Sequence, residues 1–137
     1  MGLILDSCVI IAGERQGYSV RQILEQIESV CTDDEIGLSV VTIVELTHGV
    51  HRAKADERRK RRQAFVDELI RDVPVYPVTV EIARIAGQIE GEQAEMGMSV
   101  AFEDLLIAAT ALSLNFGVAT GNVRHFQLIP SLRILSV

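Results

Sequence analysis

The stretch GLILD, residues 2–6, indicates the fold of this 137-residue chain, because it is an uninterrupted apolar run that ends in a carboxylate. Other short runs rich in apolar residues lie at 36–41, 117–120 and 132–135, and segments with helical periodicity separate them. Strands that are apolar without alternation are buried on both faces, which is typical of a parallel sheet between two layers of helices. The sequence therefore predicts an α/β fold, a three-layer α/β/α sandwich with a mostly parallel sheet of about four to five strands, in a single domain over residues 1–137.

The composition supports a globular core and divides the charge unevenly. Apolar residues make up 48% of the chain and charged residues 23%, which excludes wholesale disorder. Four Phe, two Tyr and no Trp are present, which disfavours the aromatic stacking surfaces of single-strand binding proteins. Residues 52–62 hold seven of the thirteen basic residues and two acidic ones, a local charge of +5 in a chain of net charge −6. The remaining −11 predicts a separate excess of carboxylates beside one face that attracts phosphate.

Targeting and redox features predict a soluble, cytoplasmic protein that does not enter a membrane. The start MGLILD is too short for a signal peptide and lacks a basic flank. The uncharged stretch 105–123 is interrupted by polar residues and Gly117, so it predicts a helix, a turn and a strand instead of a membrane span. Cys8 and Cys31 lack zinc-ligand spacing and are interpreted as small buried side chains in a reducing compartment.

Four polar residues follow predicted strands or begin predicted helices at one edge of the sheet. In chain order they are Asp6 after the first strand, Glu45 one turn after the second, Asp104 in the first turn of an apolar helix, and Asn122 after the fourth strand. Parallel strands all end at the same edge of a sheet, and ligands of such sheets bind there. The four side chains are therefore predicted to converge.

Two interpretations of the three carboxylates are open at this stage. Each can serve its own helix: Asp6 as a cap, Glu45 as the glutamate of a capping box with Thr42, and Asp104 as a charge at the positive end of its helix. Alternatively, carboxylates within a few ångströms of one another must protonate or bind a cation. An all-oxygen cluster suits Mg²⁺ or Mn²⁺, which would support metal-assisted hydrolysis of a phosphodiester.

Four stretches, taken together and in this order, resemble the PIN-domain family and, within it, the VapC-type ribonuclease toxins of bacterial toxin–antitoxin modules. They are LILDSCVIIA (3–12), SVVTIVELTHG (39–49), FEDLLIAATAL (102–112) and ATGNVRHFQLIP (119–130). The resemblance extends from residue 2 to residue 137. It implies a PIN-like fold for the whole chain.

The resemblance also implies roles for the residues of the acidic edge. Asp6, Glu45 and Asp104 would be catalytic and hold Mg²⁺ or Mn²⁺, and Thr120 would help to order the site. The last acidic position of the broader family falls on Asn122, an amide that lowers the negative charge of the site. We therefore expect Asn122 to belong to the catalytic set of a single-metal mechanism.

The activity implied by the resemblance is endoribonucleolytic cleavage of a structured cellular RNA, tRNA or rRNA. The implied partners are a VapB-like antitoxin that covers the acidic cleft and a second copy of the chain in a homodimer. In such a dimer the basic block, residues 52–62, could line the RNA groove, with Arg52, Arg58, Arg59 and Arg62 as candidate phosphate contacts. A solvated helix face or an antitoxin contact are the alternatives for this block.

Other functions are weighed against the nuclease. A PIN-like protein that binds RNA or a partner without cutting it is the main alternative, and Asn122 in place of an acid is the feature that favours it. A small phosphatase would need a second aspartate where Cys8 stands. A di-iron site built on Glu45 and His48 would need a second Glu-x-x-His motif in a four-helix bundle, and the predicted strands disfavour it.

Overall fold

The computed structural model describes residues 1–32 and 35–137. The elements in these two stretches are, in chain order, β1 (Gly2–Leu5), α1 (Ser7–Arg15), α2 (Val20–Glu28), β2 (Glu35–Ser39), α3 (Val40–Arg52), α4 (Asp56–Asp72), β3 (Val75–Tyr76), α5 (Val80–Glu95), α6 (Phe102–Leu114), β4 (Gly117–Thr120), α7 (Val123–Phe126) and β5 (Ile134–Ser136). None of these helices combines the length and apolar character needed to cross a membrane.

The described strands form one five-stranded sheet in the order β3-β2-β1-β4-β5, and every pairing is parallel. Strand β1 lies at the centre, where Leu3 pairs with Ile36 of β2 and with Gly117 of β4. From β1 the chain first adds β2 and β3 on one side of the sheet. It then adds β4 and β5 on the other side of β1. Ligands of such sheets bind at the carboxyl ends of the two strands where this direction changes. Asp6 and Thr120 occupy those two ends.

Alternate side chains of the two central strands face two different layers of helices. Leu3, Leu5 and Ala119 pack with side chains of α1, α2, α3 and α4, whereas Ile4 and Val118 pack with those of α5, α6 and α7. All five side chains are fully buried. Both faces of these strands are therefore covered, which explains their unbroken apolar sequence and confirms the predicted three-layer sandwich.

Helix α3 begins two residues earlier than the sequence pattern indicates. Ser39 ends β2 and caps the helix, because its hydroxyl accepts a hydrogen bond from the Val41 backbone N–H at 3.2 Å. The predicted capping box of Thr42 and Glu45 is wrong: Thr42 is fully buried inside α3, and its hydroxyl has no hydrogen-bond partner among the described residues. The β-branched residues at 40 and 41 favour a strand locally, but the packing of α3 on the sheet and on α6 overrides that preference.

The basic block spans the end of one helix and the start of another. Between α3 and α4 the chain leaves the helical conformation for three residues. Arg59 donates a hydrogen bond to the carbonyl of Ala53, and Arg62 donates to the carbonyl of Gly49 at 2.9 Å. The last carbonyls of a helix have no partner within it, so these guanidinium groups satisfy the end of α3. The geometry thus gives Arg59 and Arg62 a structural role, while Arg52 and Arg58 are exposed.

Replacement of Arg62 by alanine is expected to lower the free energy of unfolding by about 1–2 kcal/mol, because the Gly49 carbonyl loses its charged donor. Arg62 also lies 3.6 Å from Glu14, which adds a smaller, solvent-screened contribution. Urea denaturation checks the value. The exposed Arg61 of the same helix supplies the matched control, and an Arg61→Ala variant that is equally destabilised would contradict the assignment.

Candidate active site

Asp6 lies at the end of the central strand, and its side chain does not cap the helix that follows it. Asp6 occupies the N-cap position of α1, but its side chain accepts no hydrogen bond from the backbone N–H groups of that helix. Its Oδ2 instead accepts hydrogen bonds from the Thr120 hydroxyl at 2.8 Å and from the Cys8 thiol at 3.1 Å. Asp6 is only 3% exposed. Because both donors bind one oxygen, Oδ1 is the atom that Asp6 can offer to a further ligand.

Glu45 reaches the same edge from the second turn of α3. Its Oε2 accepts a hydrogen bond from the hydroxyl of Ser7, the residue next to Asp6, at 2.8 Å. Burial raises the pKa of the Glu45 carboxyl, the Ser7 bond opposes this, and the charges of Asp6 and Glu103 raise the pKa further. Glu45 is therefore a partly buried carboxyl group close to the negative charges of other carboxylates.

Asp104 contributes the third carboxylate from the first turn of α6. Its Oδ2 lies 3.1 Å from Nδ1 of His125, which follows β4. The Asp104 side chain is 15% exposed and the His125 ring is 57% exposed. Burial raises the pKa of Asp104, the charge of Asp6 raises it further, and His125 partly opposes the rise. Asp6 thus acts electrostatically on both of the other carboxylates.

The turn after β4 closes the site on its other side. Thr120 accepts a hydrogen bond from the Asn122 backbone N–H at 2.9 Å, and Cys8 Sγ accepts one from the Gly121 N–H at 3.4 Å. Asn122 itself is exposed and lines, with Cys8, one end of a groove of about 580 Å³ between α1, α2 and the ends of β4 and β5. Burial raises the pKa of the Cys8 thiol, so it keeps its proton.

The predicted carboxylates converge from three separate segments, and none of them is used to cap its helix. Their chemistry fits a hard divalent cation, since the donors are carboxylate oxygens and burial beside like charges makes the ionised forms of Glu45 and Asp104 unfavourable. In the described residues, however, no group of three or more His, Cys, Asp or Glu side chains is arranged to hold a metal ion. Glu45 and Asp104 are turned towards Ser7 and His125, so joint binding of one ion requires these two side chains to reorient.

Sequence reasoning missed the groups that orient the acids. The sequence assigns no contact to His125 and indicates only a small buried side chain for Cys8, yet each contacts a carboxylate. The adjacency of Ser7 and Cys8 to Asp6 was the available signal. It was not sufficient, because only the fold determines that Ser7 reaches Glu45, 38 positions further along the chain.

The sheet order and the acidic edge define a class of protein, the parallel α/β proteins that carry a polar site where the strand order changes direction. Comparison with known families gives the particular one. The chain belongs to the PIN-domain family, whose model, described as PIN domain, matches residues 3–130.

Several relatives of the chain are named as VapC nucleases. The chain is 29% identical over 137 residues to Ribonuclease VapC of Rickettsia bellii, covering 100% of this chain and 97% of that protein. It is 35% identical over 97 residues to the tRNA(fMet)-specific endonuclease VapC of Salmonella typhimurium, covering 71% of each chain. A crystal structure of DNA-bound VapBC from Salmonella typhimurium is similar with a TM-score of 0.84 and 26% identity, covering 99% of this chain and 98% of that one. These homologues confirm the family expected from the four sequence stretches.

The raised pKa of Glu45 predicts a pH-dependent stability in the absence of divalent ions. The folded state binds this proton more readily than the unfolded state, so the free energy of unfolding falls as pH rises above the ordinary glutamate pKa of about 4–5. Glu45→Gln removes the charge and keeps an oxygen for the Ser7 hydroxyl. In EDTA this variant is expected to melt above the wild type at pH 7 and to lose that advantage at pH 4. Thermal unfolding at both pH values checks this, and an advantage independent of pH would contradict it.

Proposed function

We propose that this protein is an endoribonuclease toxin of the VapC kind, dependent on Mg²⁺ or Mn²⁺, that hydrolyses phosphodiester bonds of a structured tRNA or rRNA. The observation that carries the proposal is the meeting of Asp6, Glu45 and Asp104 at the carboxyl edge of the sheet, where burial and then the charge of Asp6 raise the pKa of the other two. Relatives named as a ribonuclease and as a tRNA(fMet)-specific endonuclease support it.

In the proposed mechanism Glu45 and Asp104 reorient from their present partners, and the three carboxylates would then hold one divalent cation. When bound, the cation supplies an activated water and a counter-charge for the phosphate. Thr120 fixes the orientation of Asp6, Ser7 holds Glu45 close to the strand end, and His125 keeps Asp104 at the same edge. The amide of Asn122 is exposed beside the groove and would contact the substrate without adding negative charge.

RNA binding is proposed to use the exposed part of the basic block. Arg52 and Arg58 are exposed at the junction of α3 and α4, whereas Arg59 and Arg62 are engaged with backbone carbonyls. Contacts of arginine with phosphate are independent of base sequence. They weaken as the salt concentration rises, because the release of counterions from the RNA then becomes less favourable. Arg52 and Arg58 would therefore raise affinity for many RNAs without selecting among them.

A VapB-like antitoxin and a second copy of the chain are the proposed protein partners. The support for the antitoxin is the similarity to the VapBC structure from Salmonella typhimurium. Co-expression with the antitoxin from an adjacent reading frame should yield one co-eluting complex without nuclease activity. Size-exclusion chromatography with light scattering on the toxin alone tests the homodimer.

The proposed activity is tested with purified protein, free of antitoxin, on 5′-labelled tRNA and rRNA fragments. Discrete internal cleavage products are expected with Mn²⁺ or Mg²⁺ and none with EDTA. Intact RNA together with salt-sensitive RNA binding would instead favour the non-catalytic binding protein, for which the Asn122 amide is the supporting feature. Turnover of a phosphate monoester without RNA cleavage would identify a phosphatase.

A further inference from the structure

The Cys8 thiol lies between two parts of the site that are distant in sequence. Its sulfur donates a hydrogen bond to Asp6 Oδ2 at 3.1 Å and accepts one from the Gly121 N–H at 3.4 Å. It also lies 3.6 Å from the Thr120 hydroxyl. The sulfur therefore joins the start of α1 to the turn after β4.

The orientation of Asp6 depends on which donors reach it. A carboxylate at an N-cap position usually accepts hydrogen bonds from the first N–H groups of its helix. Asp6 has the extended backbone of an N-cap, with φ −69° and ψ 147°, but the helix gives it no such bond. Its Oδ2 is held instead by Thr120 from the strand side and by Cys8 from the helix side. Two donors on the same oxygen, one from the strand end and one from the helix, restrict the rotation of the carboxylate.

We propose that Cys8 is a positioning residue for Asp6. Its thiol keeps the Asp6 carboxylate away from the backbone N–H groups at the start of α1, with Oδ1 directed to where a divalent cation binds, and the Gly121 N–H keeps the sulfur in place. The positioning of Asp6 stands on the geometry alone. Its consequence for the cation rests on the proposed function.

The chemistry of the thiol explains which replacements should succeed. A thiol is both a weak donor and a weak acceptor, so one atom serves Asp6 and Gly121 at once. Alanine at position 8 removes both bonds. The serine hydroxyl is again both a donor and an acceptor, although its Cβ–Oγ bond is shorter than the Cβ–Sγ bond of cysteine. Cys8→Ser should therefore recover most of the positioning that Cys8→Ala loses.

The first experiment measures the Asp6 side-chain rotamer by NMR, from the three-bond couplings that report χ1, in protein without metal. The wild type is expected to show a single rotamer and Cys8→Ala to show averaging over two or more. Cys8→Ser should return to one dominant rotamer. Cys31→Ala is the matched control, since it removes the other cysteine, which packs against the core beneath α2, and it should leave Asp6 unchanged.

The second experiment measures Mn²⁺ affinity from the electron paramagnetic resonance signal of free Mn²⁺. Cys8→Ala is expected to raise the Mn²⁺ dissociation constant about 10-fold. This value is the lower end of the loss in metal affinity seen when a hydrogen bond to a metal ligand is removed. The lower end is expected because the thiol is a weak donor. Cys8→Ser should lie near the wild type.

The two readouts separate this inference from the proposed function. A single Asp6 rotamer in Cys8→Ala overturns the inference whatever the protein does to RNA. Averaged χ1 with an unchanged Mn²⁺ dissociation constant overturns the link between Cys8 and the cation. Averaged χ1 in a protein whose wild type neither binds Mn²⁺ nor cleaves RNA supports the positioning role and contradicts the proposed function.

Discussion

Asp6→Asn is expected to lower the rate of RNA cleavage by roughly 10²–10³-fold, the cost of removing one preorganised charged group from an active site. Asparagine has nearly the same shape, and its amide oxygen can still accept the Thr120 hydroxyl. The loss of cleavage rate therefore reports the removal of the Asp6 charge and not a change of shape. Asp6 is 3% exposed, and its charge acts on both Glu45 and Asp104. Initial rates on 5′-labelled RNA at saturating Mn²⁺ give the value.

The control for Asp6→Asn is the same exchange at an exposed position. Asp67 lies on α4 and is hydrogen-bonded only to Gln63 within the described residues, so Asp67→Asn should cleave RNA at the wild-type rate. Circular dichroism of both variants establishes that the fold is retained. Full activity of Asp6→Asn would contradict the proposed role of Asp6 as a metal ligand of the nuclease.

The second large effect is expected at Asp104, and its neighbour Glu103 provides a matched comparison. The two carboxylates are adjacent in the first turn of α6, but they point about 100° apart around the helix. Asp104 faces the site and His125, whereas Glu103 is exposed. We expect Asp104→Asn to lower cleavage roughly 10²-fold. Glu103→Gln should stay within about threefold of the wild type, because an exposed charge is screened by solvent.

Measuring Asp104→Asn and Glu103→Gln in parallel shows whether cleavage depends on the position of the Asp104 carboxylate or only on the total negative charge at this edge. If cleavage depended only on the total negative charge at this edge, Asp104→Asn and Glu103→Gln would lose activity equally, and that result would contradict a defined role for Asp104. RNA affinity from filter binding should be nearly unchanged in both, since the phosphate contacts are proposed to lie on the basic block. A loss of RNA affinity without a loss of catalytic rate would instead assign Asp104 to substrate binding.

The strands and the acidic edge were predictable because their signals are local. Residues 2–5 and 117–119 are apolar throughout, and a strand with this pattern is buried on both faces wherever it lies in a parallel sheet. A polar residue directly after such a strand must lie at the carboxyl edge. Asp6 and Thr120 could be placed there before their neighbours were known, and the four sequence stretches gave the family correctly.

Helix boundaries and side-chain partners were less predictable, because they depend on packing between distant segments. The start of α3 was predicted too late, since Val40 and Val41 favour a strand until the helix packs on the sheet. The basic block is divided between the end of α3 and the start of α4, and Arg59 and Arg62 bind carbonyls at the end of α3. Charge counting along the sequence could not separate these two arginines from Arg52 and Arg58.

The sequence by itself determined the layers of the fold, the edge of the sheet that carries the acids, and the family, because each follows from the order of residues within short segments. Only the tertiary structure decided which groups orient the carboxylates. Cys8 and Thr120 hold Asp6, Ser7 holds Glu45, and His125 contacts Asp104. Most of these contacts join segments that are far apart in the chain. They depend on how the strands pair and the helices pack, which no local pattern records.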